Sequence, residues 1–445
     1  MKQILQNISN GESQLVEVPC PNGQVGDLLI ATSKSLISAG TERMLIDFGK
    51  ANWLKKARQQ PDKVKMVLDK VRTDGLQPTI KAVQSKLDQP IPLGYCNVGR
   101  VIEAPGTVYQ VGDRVVSNGH HAQVVRVPNN LCARVPDNVD DASAAFTVIG
   151  SIALQGIRLV APTVGETIVV TGLGLIGLMT VQLLKANGCA VLGIDFDSSK
   201  CEMARQFGAE TVDLSKGEDA IARATEFSRG RGIDAVIITA NTKSNEPISQ
   251  AATISRKRGR IVVVGVVGLE LSRADFFEKE LTFQVSCSYG PGRYDKDYEQ
   301  KGFDYPIGFV RWTEQRNFEA ILELMANGSL DLGPLISYQY DIDHALKAYK
   351  KLNDKSTLGI LLNYPKHKID DLKNNSVKLR KSADYVGSQV VLGCIGAGNY
   401  ASSILIPAFE AAGAKLDTLV TNGGVSAVHN GKKYGFVTAA TDVST

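Results

Sequence analysis

The chain has 445 residues, 43% of them hydrophobic and 22% charged, with a formal net charge of +4 at pH 7. That is ordinary globular material, long enough for two or three domains, and the charge is too small for this length to imply nucleic acid or an anionic membrane as a partner. The opening MKQILQNISNGESQ holds no apolar run of signal-peptide length, so a cytoplasmic protein is expected. Seven scattered cysteines without CxxC spacing, and five histidines of which only His120 and His121 are neighbours, point to reduced thiols and no metal.

Residues 14–135 consist of short β-type runs broken by Gly, Pro and Asn, among them 28–32, 98–103, 111–116 and 123–127, which predict a small irregular barrel. Between 45 and 88 a basic stretch intervenes. Trp53, Leu54, Val64, Val67, Leu68 and Val71 fall at helical spacing there, with most lysines off the stripe. A solvated helical excursion over the barrel explains this pattern more simply than an anion-binding surface does. A small-residue helix is predicted over 141–158.

The next stretch, TIVVTGLGLIGLMTVQLLKANGCAVLGID at 167–195, organises the rest. A β-branched run turns through Gly172, Leu173, Gly174, Leu175, Ile176 and Gly177 into an apolar helix, and a second apolar run ends on Asp195. This is the pattern that holds a dinucleotide. Gly172 permits the tight turn, Gly174 lets the backbone approach a pyrophosphate, and Gly177 lets the helix pack closely on the strand. The helix N-terminus then offers free N–H groups and the positive end of its dipole. Asp195, eighteen residues after Gly177, can accept both ribose hydroxyls and would repel a 2′-phosphate, so NAD(H) is expected over NADP(H). A membrane span competes for residues 167–184, which carry no charge, but three glycines in six residues argue against it.

Beyond Asp195 the alternation continues, with helices near 198–207, 219–227 and 247–255 and strands near 210–213, 233–239 and 260–265. Such alternation predicts a parallel sheet whose ligands sit beyond the carboxyl ends of the strands. Thr239, Ala240, Val264 and Gly265 end strands on that edge and are candidates for the nicotinamide side. Aromatics and charges interleave over 289–316; helices are expected at 317–325 and 342–352, and a strand at 358–362. A polar tract after Pro365 reads as a linker. From Val390 a second strand, turn and helix begins, with Gly396, Gly398, Asn399 and Ala401 in a GxGxxG/A arrangement. The strand after it, 415–420, runs into Thr421 and Asn422 with no acid. Only about half of a nucleotide-binding fold follows, so a truncation of a longer protein is expected.

Residues 1–365 resemble the medium-chain dehydrogenase/reductase family. The likeness rests on Ala39-Gly40-Thr41-Glu42, Leu93-Gly94-Tyr95, Val111-Gly112-Asp113-Arg114-Val115 and the Gly172 turn with Asp195. Residues 389–445 resemble the start of the glucose-fructose oxidoreductase and inositol dehydrogenase family. The order of the two resembles bacterial fusion oxidoreductases of polysaccharide or nucleotide-sugar metabolism. The resemblance implies an α/β fold: a GroES-like β-barrel domain at 1–150 with a helical insertion at 45–90, then a Rossmann parallel-sheet domain at 151–290. A segment returning to the barrel at 291–365, a linker at 366–388 and a partial second Rossmann fold at 389–445 complete it. A homodimer is implied too. The departures from the family are specific. Zinc alcohol dehydrogenases have Cys-Gly-Thr-Asp where Ala39-Gly40-Thr41-Glu42 stands and Gly-His-Glu where Gly94-Tyr95-Cys96 stands, and the structural zinc lobe is missing after Val116. The resemblance therefore implies a zinc-free member.

Without a metal to polarise the alcohol oxygen, a side chain with a movable proton is needed. Tyr95 is the first candidate, with Glu42 to orient it or relay a proton, beside Thr41; Tyr95 could equally be an aromatic filling the vacated metal site. Tyr289, Arg293, Arg311 and Arg316 either bind an anionic substrate such as a nucleotide sugar or seal the junction between barrel and Rossmann domain. The expected function is zinc-independent, NAD(H)-dependent hydride transfer on a sugar, nucleotide-sugar or similar small molecule. A non-catalytic NAD(H)-binding scaffold or sensor, or a quinone or enoyl reductase, are the alternatives.

Overall fold

The computed structural model describes residues 1–50, 64–67, 73, 79, 83, 87–366, 368–381 and 387–444. Of the helical stripe expected over 45–88, Trp53, Leu54, Leu68 and Val71 lie outside the described residues, while Val64 and Val67 are helical and half-buried.

The N-terminal unit is built on strands β1 (Lys2–Gln6), β2 (Ser13–Glu17) and β3 (Asp27–Ser38), followed directly by helix α1 (Ala39–Lys50). Strands β4 (Ile91–Pro92), β5 (Asn97–Glu103), β6 (Arg114–Ser117), β7 (Val124–Pro128) and β8 (Cys132–Arg134) complete it. Val, Ile and Leu dominate β3 and β5, and their inward residues are fully buried, so the antiparallel register is fixed by the pattern. β3 is long enough to pair β5 along one edge and β7 along the other.

The helix expected over 141–158 is two: α2 (Asp141–Ala144), capped by the Asp140 carboxylate on the amides of Ala142 and Ser143, and α3 (Thr147–Val160). The break falls at Ala145 and Phe146, where Phe146 turns wholly into the core. Then come β9 (Thr167–Thr171), α4 (Leu175–Ala186), β10 (Ala190–Asp195), α5 (Ser198–Gln206), β11 (Glu210–Asp213), α6 (Ala220–Phe227), β12 (Ile233–Ile238), α7 (Glu246–Ile254), β13 (Ser255–Val263) and β14 (Thr282–Val285). These strands form one parallel sheet in the order β11-β10-β9-β12-β13-β14. Ile168, Val169 and Val170 of the central strand have no exposed surface, as a parallel sheet covered on both faces demands. The chain leaves β9 toward one side and returns at β12 on the other, which opens a crevice at the carboxyl ends of these two strands.

After α8 (Glu314–Ala326), strand β15 (Ile336–Asp341), helix α9 (Ala345–Lys351) and strand β16 (Gly359–Asn363) return to the first unit. β16 pairs antiparallel with β3, Gly359 opposite Ser38, and the Ala39 amide donates to the Leu358 carbonyl at 3.2 Å. The return segment thereby reaches the mouth of the crevice.

The stretch expected as a linker, 366–388, differs from that expectation. It holds a short helix, Ile369–Leu372, and strand β17 (Ser376–Lys378). Leu372 is buried among Cys20, Leu29 and Ile102, and Leu379 abuts Gly431. Its few apolar residues are too sparse to read as periodic, yet Leu372 and Leu379 find surfaces to pack on. Strand β18 (Val391–Ile395), helix α10 (Ile406–Ala411), strand β19 (Lys415–Val420), helix α11 (Val425–Tyr434) and strand β20 (Thr438–Ala440) follow, and the sheet order is β17-β20-β19-β18 with β18, β19 and β20 parallel. This sheet leans on the N-terminal unit: Asn22 donates to the Thr441 carbonyl at 2.9 Å, and Val18 packs into its core. No described helix is long and apolar enough to cross a membrane.

Candidate cofactor and active site

The crevice between β9 and β12 opens into a cleft of about 650 Å³. One end is lined by Gly172, Gly174, Leu175, Ile176, Asp195, Phe196 and Lys200, and the other by Ser38, Gly40, Thr41, Thr357 and Leu358. Thr239, Ala240, Val264 and Gly265 lie along the wall between. A volume of this size matches a cofactor-sized ligand.

Gly172 has φ +95°, and a Cβ there would stand 2.7 Å from the Ala240 amide nitrogen. Gly177 is not a lining residue: a Cβ on it would come within 1.9 Å of the Gly172 carbonyl oxygen, so helix and turn touch backbone to backbone. At Gly174 a Cβ would meet nothing within 4 Å, because that position faces the open cleft. No side chain caps α4, so its first amides remain available to an anion. Asp195 closes the turn from the other side. Its Oδ2 accepts from the Leu173 amide at 2.6 Å and its Oδ1 from the Asp197 amide at 2.9 Å. Lys200, which sequence reasoning did not single out, reaches the same end and pairs with Asp197 at 3.3 Å.

At the far end Thr41 lines the cleft, and Tyr95 lies behind it. The Tyr95 hydroxyl is buried without a hydrogen bond of good geometry, close to the hydroxyls of Ser38 and Thr41. Burial, and then the neighbouring Cys96 and Glu42, push its pKa far above the ordinary phenol value. Such a phenol keeps its proton and acts as a hydrogen-bond donor. Glu42 is fully buried one residue behind Thr41, held by His121 and Tyr349. Neither partner carried a sequence signal, because both come from distant segments.

Residues 39–42 and 94–96 stand where zinc alcohol dehydrogenases hold their metal, so the fit of these residues to zinc matters. Ala39 offers no donor atom and Tyr95 a phenol at the two positions where zinc alcohol dehydrogenases have a cysteine and a histidine. Among the described residues no three His, Cys, Asp or Glu side chains stand together as a metal site. This donor set does not fit zinc.

Tyr289, Arg293 and Arg311 do not reach the cofactor cleft. Tyr289 is buried, accepts from Asn118 at 3.1 Å and lies tilted against the Phe318 ring. Arg293 pairs with Glu299 and lines a separate cavity of about 640 Å³ with His120 and His429. The Arg311 guanidinium lies 3.8 Å from the Trp312 ring, whose other contact is Arg158 at 3.3 Å, and Arg316 pairs with Asp304. The segment is tied to the barrel instead: Gln315 donates to the carbonyls of Asn129 and Cys132, and Asn130 to that of Tyr298. Tyr289, Tyr298, Arg293 and Arg316 are engaged within the segment or at this junction, whereas Tyr294, Phe303 and Phe309 are exposed. Gly396, Gly398 and Asn399 line a third cavity, about 560 Å³, with Thr421 and Asn422; Ala401 stands outside its lining and opens a wide helical turn, Ala401–Leu405.

The family described as "Zinc-binding dehydrogenase" matches residues 176–301. D-guloside 3-dehydrogenase of Escherichia coli K12 is 28% identical over 275 residues, covering 59% of this chain and 74% of that protein. An uncharacterized zinc-type alcohol dehydrogenase-like protein of the same organism, YdjJ, is 26% identical over 232 residues, covering 51% of this chain and 59% of the relative. The structure of alcohol dehydrogenase TADH from Thermus sp. ATN1 superposes with a TM-score of 0.62 at 20% identity, over 82% of this chain and all of that one. The relatives and structural neighbours are alcohol and sugar dehydrogenases of the medium-chain type.

Proposed function

We propose that this relative of the zinc-type alcohol dehydrogenases is a metal-independent, NAD(H)-dependent oxidoreductase that moves a hydride between nicotinamide and a carbinol carbon of a sugar, glycoside or nucleotide sugar. The observation that carries the reading is the single cleft in which the Gly172 turn, Asp195 and Thr41 meet. Asp195 takes the adenosine ribose and the amides after Gly174 take the pyrophosphate, leaving the Thr41 end, with Thr239, Ala240, Val264 and Gly265, for the nicotinamide. When bound, the coenzyme supplies the hydride acceptor or donor. This chain's own residues do the rest: Thr41 presents its hydroxyl toward the substrate oxygen with the Tyr95 phenol behind it, and donors fixed where charge develops lower the barrier. The sugar class is supported by the likeness to D-guloside 3-dehydrogenase. Residues 1–150 with 291–365 serve as the substrate-side unit, residues 151–290 as the coenzyme unit and residues 389–445 as part of a second nucleotide-type unit; the assembly is a homodimer.

The test is titration of the chain with NADH and NADPH, followed by turnover across glycosides, sugar alcohols and nucleotide sugars. NADH binding with turnover of at least one sugar is expected; indifference to both coenzymes at millimolar concentration rejects the reading. The buried state of both Tyr95 and Glu42 favours a second reading, an NAD(H)-binding sensor without turnover. Tight NADH binding with no turnover on any substrate in the panel decides for it.

A further inference from the structure

Behind the wall of the cleft runs a line of five buried side chains to which hydride transfer gives no task. Glu42, fully buried in the first turn of α1, receives the Tyr349 hydroxyl on Oε2 and stands 3.2 Å from His121 Nε2 through Oε1. The second nitrogen of His121 is 2.7 Å from Ser35 Oγ, which is 2.9 Å from the Tyr364 hydroxyl. Ser35 and His121 have no exposed surface, and Tyr349 and Tyr364 keep 7% each.

Both carboxylate oxygens take a donor, the arrangement of an ionised acid. In one tautomer of an uncharged His121, Nε2 donates to Glu42 and Nδ1 accepts from Ser35, which accepts in turn from Tyr364. Every donor in the line then points toward Glu42, and among the described residues no lysine or arginine pairs with it. The line carries one buried negative charge. It lies one residue behind Thr41, at the end of the cleft that the grip of Asp195 on the adenosine leaves for the nicotinamide.

We propose that Glu42 is a fixed charge that poises the bound coenzyme toward its oxidised form. The proposal rests on the NAD(H) reading above. NAD⁺ carries a positive pyridinium and NADH a neutral dihydropyridine, so a carboxylate behind the ring in a medium of low dielectric stabilises the first and not the second. When NADH gives its hydride to a carbonyl carbon, whose oxygen then takes a proton from solvent, the ring gains its positive charge; Glu42 favours that change at the ring. The bound coenzyme is thus biased toward NAD⁺, against the opposing charges of Arg43 and Lys355 on the cleft wall, with Glu42 as a positioning residue acting through its field and His121 and Tyr349 as its donors.

Dissociation constants of NAD⁺ and NADH, measured by calorimetry on the whole chain, test this without knowledge of the substrate. In Glu42→Gln the ratio Kd(NAD⁺)/Kd(NADH) is expected to rise on the order of tenfold, chiefly through weaker NAD⁺. Glu42→Asp, which keeps the charge, restores most of the preference. An unchanged ratio with both forms still bound overturns the proposal alone, as does an equal weakening of both forms with a lowered Tm, the mark of a purely structural role. If the glutamine variant does not fold, the double variant Glu42→Met with Tyr349→Phe removes the carboxylate together with one of its two donors, leaving only the His121 Nε2 hydrogen without its acceptor, and carries the same comparison. Binding of neither form by the wild-type chain overturns the coenzyme reading itself and the poise with it.

Discussion

The chain contains two glycine turns of nearly the same spelling, at 172–177 and 396–401, and they are built differently. In the first, helix and strand meet so closely that a Cβ at Gly177 would collide with the Gly172 carbonyl, while Asp195 holds the turn through the Leu173 amide. In the second, Ala401 stands where Gly177 does and carries a Cβ; the helix there begins as a wide π turn, and Cβ atoms at Gly396 or Gly398 would meet nothing within 4 Å. No acid follows: Thr421 and Asn422 take the place of Asp195. The first cleft also borrows its far wall from Ser38, Thr41 and Leu358, whereas the second is lined, apart from Gln89, by its own unit. A motif therefore specifies a turn; the neighbours that crowd it decide how well it holds a ligand.

The largest effect that can break this contrast is expected at Gly177. Gly177→Val forces the helix off the turn, costs about 1–3 kcal/mol of stability by overpacking and abolishes NADH binding, read together by thermal melting and calorimetry; retained binding would mean that the close contact is unimportant. Tyr95→Phe separates chemistry from structure at the borrowed wall. Because the hydroxyl lacks a partner, Tm should stay within the equivalent of about 1 kcal/mol, while kcat on a sugar that turns over falls on the order of a hundredfold; unchanged kcat removes Tyr95 from the reaction. Asp195→Asn should weaken NADH about ten- to a hundredfold, the worth of a charged hydrogen bond, and NADPH far less; equal losses for both coenzymes would show that Asp195 only props the turn. The smallest and sharpest test is the pair Gly174→Ala and Gly398→Ala. Each adds a methyl to open space, and each should cost about 1 kcal/mol or less, yet only Gly174→Ala should weaken NADH, by about tenfold. Equal effects on NADH would erase the difference between the two turns.

Much of the coenzyme side was legible because its determinants are local. Strand 210–213 lies where an apolar run between turn residues puts it, and the helix expected near 219–227 begins one residue later, at Ala220, because Asp219 caps it. Helix α8 begins earlier than its apolar spacing implies, because Thr313 caps it through the Arg316 amide and adds a turn. The substrate side was far less legible. Arg293 and Arg311 have the chemistry to bind anions, but nothing in their spacing tells that Glu299 and Trp312 occupy them. Lys200 and Leu358 line the cleft without any motif, and the strand at 376–378 hides in a polar tract.

What the sequence determined by itself is the order of the chain's elements and the turn at Gly172, since helix and strand periodicity, caps and positive-φ glycines act within a few residues of one another. Only the tertiary structure decided that β16 returns to β3 and so carries Leu358 to the cleft, and that Tyr349 and His121 converge on Glu42 across intervals of 307 and 79 residues. Those meetings depend on which surfaces bury one another, and burial is a property of the packed chain that no local pattern encodes.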